Sequence, residues 1–416
     1  MPPPILAIDF GTSNSAAAIL DGAVVRRLAI EAGAETLPTA VFFPTDHAEM
    51  LIGTAAAQAL IAGEDGRYMR ALKSVLGTTL FHEPRMIGAK RRTLADIVAA
   101  FLKTVKQRAE AQTGQRFSHV LSGRPVHFHS NDPDRDARAE RDLRGCYVAA
   151  GFEQVDFMFE PEAAALASHG LGGAGDIGLI VDIGGGTSDF SVFQATGGKV
   201  DIFASHGIRL GGTDFDHAVS MAHAMPYLGH GGALRRVFAH GVLPMPNALF
   251  VELSTWAKIP FLYTRETRRE VEDMVKHAVS PLELRRLAQV IEDRLGHELA
   301  FSVEAAKIAA NAGAHAAAID MGFIERGLTA PITPASLNAS LTGFRDRLRE
   351  PVYATLSAAQ ASPDKIGSVI LVGGSSLMNM ISDEARAICP QARIVRSQAF
   401  TAVVDGLALA TGVGAR

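Results

Sequence analysis

Hydrophobic residues along the chain follow two different periods, and the shorter one predicts β-strands. Apolar runs at residues 5–11 (ILAIDFG), 15–20 (SAAAIL) and 39–43 (TAVFF) are short and bounded by turn residues, as is typical of strands. Asp21 and Gly22 form a dipeptide that favours the tight turn of a β-hairpin. The N-terminal part of the chain is therefore expected to fold into strands joined by hairpins.

The longer period predicts helices between such strands. Residues 93–111 (TLADIVAAFLKTVKQRAEA) place apolar side chains on one face, and Thr93 and Asp96 stand at the spacing of a capping box. Because the two periods alternate along the chain, the sequence predicts an α/β architecture. Further strands are expected within 118–128, 177–194 and 368–376, and further helices within 134–150, most of 214–314, 336–360 and 401–413.

The size and composition of the chain limit the classes of protein that it can represent. A chain of 416 residues exceeds the size at which one core normally stops growing, so we expect two lobes. The net charge of −4, with 40 basic and 44 acidic residues, gives no reason to expect a nucleic-acid or membrane partner. Cys146 and Cys389 are the two cysteines, and the sequence shows no leader pattern or long apolar segment, which favours a cytoplasmic location.

One pattern occurs twice: an apolar run ends in an aspartate, which is followed by glycine and small polar residues. Backbone N–H groups in glycine turns form concave nests that bind anions, so both turns suit phosphate. An aspartate beside phosphate is repelled unless a hard cation such as Mg²⁺ lies between them. The repeat therefore predicts a bound Mg-nucleotide, with the metal held through water. The first copy contains Asp9, Gly11, Thr12 and Ser13, and the second contains Asp182, Gly184, Gly185, Gly186 and Thr187.

Less specific interpretations apply to single motifs. Either glycine motif alone is also compatible with a plain tight turn, although two copies after two apolar strands weaken that interpretation. The sequence contains no Walker A motif, so the phosphate site is expected to consist of hairpins. His127 and His129 are expected on one face of a strand, and hydrogen bonding explains them better than metal binding, because no cysteine or carboxylate stands at metal-site spacing.

These motifs resemble those of the actin-like ATPases and, among them, the DnaK-type heat-shock chaperones. The resemblance implies the actin-like ATPase fold, also called ribonuclease H-like, with two lobes around a nucleotide cleft. The chain looks like the truncated, YegD-type branch, in which no peptide-binding domain follows the ATPase domain. Six segments occur in the family's order: AIDFGTSNS (7–15), RALKSVLG (70–77), EPEAAAL (160–166), VDIGGGTSDFS (181–191), LGGTDFD (210–216) and ILVGGSS (370–376).

The resemblance also implies roles for individual residues. Lys73 would reach the γ-phosphate and orient the attacking water, and Asp189 is a candidate proton acceptor. Pro125 matches a proline that relays the nucleotide state between the lobes. The implied catalytic residues are Lys73, Glu160, Asp182, Thr187 and Asp189. The implied nucleotide-binding residues are Asp9, Gly11, Thr12, Ser13, Asn14, Gly184, Gly185, Gly186, Gly211 and Gly212 near the phosphates, and Glu304, Lys307, Gly373, Gly374 and Ser375 near the adenosine, with Asp9 and Asp182 at the metal.

The resemblance implies both a domain plan and a function. Lobe I is expected at 1–172, lobe II with a helical insertion at 173–394, and a C-terminal helix returning toward lobe I at 395–416. The implied function is a chaperone ATPase module that hydrolyses ATP with Mg²⁺, and with K⁺ as a further candidate ion. Lobe orientation would then set the affinity for an unidentified protein client or regulator. Two alternatives stay open, a sugar- or acetate-type kinase of this fold and a filament-forming protein, and Lys73 argues against both.

Overall fold

The computed structural model describes residues 4–31, 33–45, 49–88, 90–129, 132–167, 177–196, 199–236, 240–314, 316–396 and 401–413. The chain divides into two compact units, one formed by Met1–Gly212 with Arg345–Arg416 and the other by Thr213–Phe344. The lobe boundary expected at residue 172 lies outside the described residues. The division into lobes therefore remains a prediction.

The described residues form 20 strands and 12 α-helices. The strands are β1 Ile5–Phe10, β2 Asn14–Asp21, β3 Val24–Leu28, β4 Thr36–Pro38, β5 Ala40–Pro44, β6 Leu51–Ile52, β7 Gly66–Arg70, β8 Arg85–Ile87, β9 Lys90–Arg92, β10 His119–Arg124, β11 Gln154–Phe159, β12 Ile177–Ile183, β13 Ser188–Thr196, β14 Lys199–Ile208, β15 Ala233–Arg235, β16 Val242–Pro244, β17 Ala318–Asp320, β18 Thr329–Pro331, β19 Ile366–Val372 and β20 Arg393–Arg396. The helices are α1 Thr54–Ile61, α2 Leu94–Thr113, α3 Pro133–Ala149, α4 Glu160–Ala167, α5 Gly212–Val219, α6 Ala248–Leu253, α7 Arg265–His277, α8 Pro281–Glu292, α9 Gly296–Asn311, α10 Pro334–Ala358, α11 Asn379–Ile388 and α12 Ala402–Val413.

The first unit contains two sheets that share one plan. In the first sheet the strand order is β11-β10-β1-β2-β3, and in the second it is β14-β13-β12-β19-β20. In each, an antiparallel hairpin (β1 with β2, β12 with β13) lies beside a parallel strand, β10 or β19. The repeated sequence pattern is therefore a repeated arrangement of strands.

The two hairpins also close in the same way. Phe10 pairs with Ser15 at the end of the first hairpin, and Ile183 pairs with Ser188 at the end of the second, so each turn contains four residues. Asp9 lies one residue before Phe10, and Asp182 lies one residue before Ile183. The hairpins thus present both aspartates at equivalent positions beside a glycine turn.

Helices α4 and α12 connect these two sheets through a core of small apolar residues. Helix α12 packs on β1 and β2, helix α4 packs on β12 and β13, and the two helices pack on each other. They approach so closely that a Cβ atom on Gly406 would collide with the backbone of Ala163. The alanines of α4 and Gly406 therefore permit the close layering that brings the two hairpins together.

Several local predictions are confirmed. Helix α2 begins with a complete capping box, in which Asp96 N donates to Thr93 Oγ1 at 3.1 Å and Thr93 N donates to Asp96 Oδ2 at 2.8 Å. Gly22 has φ +63° in the turn between β2 and β3, as the hairpin dipeptide predicts. These features follow from local sequence because a cap or turn needs only neighbouring residues.

The stretch 214–314 is mostly helical, as predicted, and contains most of α5 and all of α6 to α9. The antiparallel pair β15 and β16 interrupts it where glycine and proline break the helical pattern. One local prediction is wrong. His127 and His129 lie beyond the end of β10 at Arg124, since Pro125 stops the strand.

Two further observations concern the described residues as a whole. None of their helices is both long and apolar enough to cross a membrane. Cys146 and Cys389 are both free and buried.

Candidate functional site

The turns of the two hairpins face each other at close range. A Cβ atom on Gly185 would lie 3.1 Å from Thr12 Cβ and still closer to Ser13 Oγ. A Cβ atom on Gly186 would lie 3.1 Å from Thr12 Oγ1. The glycines of the second turn thus leave room for the hydroxyl residues of the first, and the predicted phosphate-binding residues of both turns are brought together.

Two further glycine segments close around the second turn. Gly212 N donates to Gly184 O at 3.0 Å, and a Cβ atom on Gly211 would lie 2.5 Å from Gly186 N. Gly373 adopts φ +81°, and a Cβ atom there would lie 2.7 Å from Asp182 Oδ1. Gly374 and Ser375 follow Gly373 in a short 3-10 turn, and Ser375 Oγ occupies the space where Gly212 would carry a side chain.

Lys73 forms a buried ion pair in the first unit. Its Nζ donates to Glu160 Oε1 at 2.6 Å, and both side chains are buried. Lys73 lies in the 3-10 turn Leu72–Val75, which follows Ala71 in the left-handed region at φ 60° and ψ 33°. Such strained backbone is concentrated at functional sites. Glu160 begins helix α4, where its carboxylate also faces the positive end of the helix dipole.

Lys73 shares this region with three aspartates as well as Glu160. Burial raises the pKa of Asp9 to about 7, with a further contribution from the charge of Glu160 and an opposing one from Lys73. Burial also raises the pKa of Asp182 and of Asp189 well above the ordinary value, again with a contribution from Glu160. The raised pKa values show that negative charge on these acidic groups is costly here, and a bound cation would reduce that cost.

The Lys73 ammonium stays protonated in this environment. Burial alone would lower its pKa, but the charges of Glu160, Asp9 and Asp189 outweigh that effect and raise it. A permanently positive group next to facing anion-binding turns is suited to a phosphoryl group that gains charge during transfer.

Asp189 is held in place by the strand-end segment that contains Pro125. Its Oδ1 accepts a hydrogen bond from Val126 N at 2.8 Å, one residue after Pro125. Asp189 also pairs with Asp182 across the β12–β13 hairpin. A Cβ atom on Gly207 would lie 2.5 Å from Asp189 Oδ1. The carboxylate therefore has a fixed orientation next to a second, equally buried carboxylate.

The arrangement of these acidic groups indicates how a metal ion could be bound. Among the described residues, no three His, Cys, Asp or Glu side chains converge closely enough to form a direct metal site. Mg²⁺ keeps several waters and binds phosphate oxygens, so it does not require such a set. Buried acidic groups with raised pKa values, next to glycine turns, fit an ion held through water, and the assignment of Asp9 and Asp182 to it stays a prediction.

Glu304 and Lys307 lie on α9 in the second unit. The sequence analysis did not predict the contacts around Lys307. Lys307 Nζ donates to Asp216 Oδ1 at 2.6 Å, and Trp256 Nε1 donates to Asp216 Oδ2 at 3.0 Å, all within the interior of that unit. Burial raises the pKa of Asp216, against the attraction of Lys307. Asp216 is the last residue of the segment LGGTDFD, and this motif is the sequence signal that could have identified Asp216 as a partner of Lys307. The adenosine role of Glu304 and Lys307 stays a prediction.

Arg124 is a further residue that the sequence analysis did not single out. It forms ion pairs with Glu140 and, at 3.5 Å, with Asp136, and it donates to Pro125 O at 3.1 Å. Arg124 therefore connects the end of β10, just before Pro125, to helix α3. Its position in the sequence Gly-Arg-Pro at a strand end gave only a weak signal.

Comparisons with known proteins match most of the chain. A family model described as Hsp70 protein matches residues 5–227, which is more than half of the chain. The chaperone protein DnaK of Thermosipho melanesiensis is 27% identical over 414 residues, which cover 98% of this chain and 59% of that protein. The chain thus spans about three fifths of the length of this curated relative.

Proposed function

Because the chain belongs to the Hsp70 family and has its actin-like ATPase fold, we propose that it is a chaperone-type ATPase module that binds and hydrolyses Mg-ATP. The observation that carries the proposal is the buried Lys73–Glu160 pair next to acidic groups and glycine turns. The lysine and the glycine turns suit phosphate, the acidic groups suit the metal that accompanies it, and together these features suit phosphoryl transfer to water.

The residues of the site would bind the phosphates and the metal. Backbone N–H groups of the two turns, with the hydroxyls of Thr12, Ser13 and Thr187, would bind phosphate oxygens. Mg²⁺, when bound, supplies positive charge at the phosphates, and Asp9 and Asp182 would hold it through water.

Separate residues would assist the attack of water on the γ-phosphoryl group. Lys73 would stabilise the charge that develops during transfer, and Glu160 would keep its ammonium in place. Asp189, oriented by Val126 N, would accept the proton of the attacking water.

The output of such a module would be conformational. We propose that nucleotide state changes the orientation of two lobes, divided near residues 172 and 394, and with it the affinity for a protein client or regulator. Pull-down with the ATP-bound and the nucleotide-free protein would identify that partner. Capture of the same proteins in both states would contradict a nucleotide-controlled surface.

Single-turnover hydrolysis tests the ATPase proposal. The wild-type protein with Mg-ATP should release phosphate in a reaction that Lys73→Ala slows strongly. A kinase of this fold would instead transfer the phosphoryl group to an added sugar or acetate, and a filament-forming protein would increase light scattering with ATP. Hydrolysis that is absent in the wild-type protein would reject the proposal.

A further inference from the structure

The turn that contains Lys73 is held from outside by two hydrogen-bond donors that the mechanism above does not use. Arg209 Nη2 donates to Ser74 O at 3.1 Å. His129 Nε2 lies 2.8 Å from Leu76 O, and because a carbonyl oxygen only accepts, Nε2 must carry the hydrogen. Both bonds end on carbonyls within three residues of Lys73.

His129 is itself fixed by its surroundings. The backbone N–H groups of Phe128 and His129 both donate to Asp136 Oδ1, at 2.6 and 3.1 Å. The imidazole is buried, and burial lowers its pKa, with smaller contributions from Arg135 and Arg209, while the bond to Leu76 O opposes them. The ring is therefore a neutral donor held against the turn.

Other contacts near the turn act differently. The Lys73–Glu160 ion pair fixes the ammonium itself, and Ser74 N and Ser74 Oγ both bond to Ala71 O, within the turn. Gly77 N donates to Asp142 Oδ2 at 2.8 Å, one residue beyond Leu76. The left-handed conformation of Ala71 makes the turn strained, so external contacts are needed to keep it in one position.

We propose that Arg209 and His129 are positioning residues that hold the Lys73 turn so that the ammonium meets the γ-phosphoryl group. This inference rests on the proposed function, because it assigns these residues a role through Lys73. Displacing a catalytic group by about 1 Å can cost on the order of a hundredfold in rate, so modest loosening of the turn is enough for a measurable effect.

A cavity lined by both donors helps to separate positioning from stability. It has a volume of about 640 Å³, and its lining includes His127, His129 and Arg209. Shortening either donor opens space between this cavity and the carbonyl to which the donor bonds, so we expect water to replace the lost hydrogen bond. We therefore expect removal of the donors to slow hydrolysis more than it lowers the melting temperature.

The experiment measures single-turnover hydrolysis and nucleotide Kd for Arg209→Ala and His129→Leu. Both should slow hydrolysis by about tenfold and leave Kd within about twofold. Arg209→Lys and His129→Gln retain a donor and should restore most of the rate. His127→Leu is the matched control, because His127 lines the same cavity and is exposed, and it should leave the rate unchanged.

A double variant decides whether the effect passes through Lys73. If Arg209 acts by placing that ammonium, Lys73→Ala with Arg209→Ala should hydrolyse ATP no more slowly than Lys73→Ala alone. Additive effects, or unchanged rates in Arg209→Ala and His129→Leu, would overturn the inference while leaving the ATPase proposal intact. An unchanged rate in Lys73→Ala alone would instead contradict the role of Lys73 in the proposed function.

Discussion

The hairpins β1–β2 and β12–β13 share turn length and the plan of their neighbouring strands, and they differ in the residue that lies opposite the aspartate. Asp9 lies opposite Ala16, whereas Asp182 lies opposite Asp189. The backbone thus provides the same anion-binding turn twice, and one side chain gives the second hairpin a second carboxylate. The repeated fold would account for the proposed phosphate binding, and the difference between the hairpins would account for the position of the proposed proton acceptor.

The environments of the two positions account for this difference. Ala16 belongs to the apolar core that includes Ala7 and Ala18, where a charged group would have no partner. Asp189 is equally buried but accepts the hydrogen bond from Val126 N. At the position opposite the aspartate, a carboxylate therefore occurs in the hairpin whose neighbouring segment supplies a donor.

Lys73 lies outside both hairpins, so its removal should separate catalysis from binding. Lys73→Ala should lower the rate of hydrolysis by about a hundredfold or more, because its charge acts on the transition state, and should leave nucleotide affinity within about several-fold. Single-turnover kinetics and equilibrium binding measure the two effects. Lys103→Ala, at an exposed position on α2, is the control. Equal losses in rate and affinity would assign Lys73 to ground-state binding instead.

Asp189→Asn makes the second hairpin resemble the first by removing its extra charge. The amide oxygen can still accept from Val126 N, so the fold should be retained. Hydrolysis should slow by about tenfold as a proton acceptor is lost, with Mg-ATP binding retained. An unchanged rate in a single-turnover assay would show that the extra carboxylate of the second hairpin has no role in catalysis.

Gly185→Ala tests the close approach of the two turns. Its new Cβ atom would lie 3.1 Å from Thr12 Cβ, so the turns must separate, and the nucleotide-free protein should lose about 1–3 kcal/mol of stability. Gly184→Ala is the matched control, because the nearest atom to its Cβ is Thr187 O at an ordinary 3.6 Å. Denaturant unfolding of both variants checks this, and equal midpoints would mean that the turns do not need this glycine.

The pH dependence of stability should reveal the raised pKa of Asp9. Its pKa is raised from 3.8 to about 7, so the folded state holds this proton more tightly than the unfolded chain does. The contribution of Asp9 to the stability of the nucleotide-free protein should therefore fall as the pH rises from about 4 to about 7 and then level off. Melting temperatures of the wild-type protein and Asp9→Asn over this range test the effect, and parallel curves would contradict it.

The sequence predicted those parts of the site that depend on local pattern. The two glycine turns, the aspartates before them and the α2 cap are all encoded within a few neighbouring residues, and the structure contains each turn and the cap where expected. Lys73 was identified through resemblance alone, because a single lysine has no periodic or spacing signal.

The contacts that sequence reasoning missed join distant segments. Asp216 meets Lys307 across 91 positions, and Arg209 reaches Ser74 across 135 positions. Such pairs depend on how sheets and helices pack, and nothing in the local pattern distinguishes Arg209 from other arginines. The HFH segment was assigned to a strand because the effect of Pro125 on the end of β10 was overlooked.

Mg-dependent binding of ATP tests most directly the central claim that the two facing turns and their aspartates form one nucleotide site. In a thermal-shift titration, millimolar ATP with Mg²⁺ should raise the melting temperature of the wild-type protein, since a ligand at about a hundredfold excess over Kd stabilises by about 2.7 kcal/mol. Asp9→Asn should lose most of the part of this shift that depends on Mg²⁺. No shift in the wild-type protein with ATP or ADP would contradict the account.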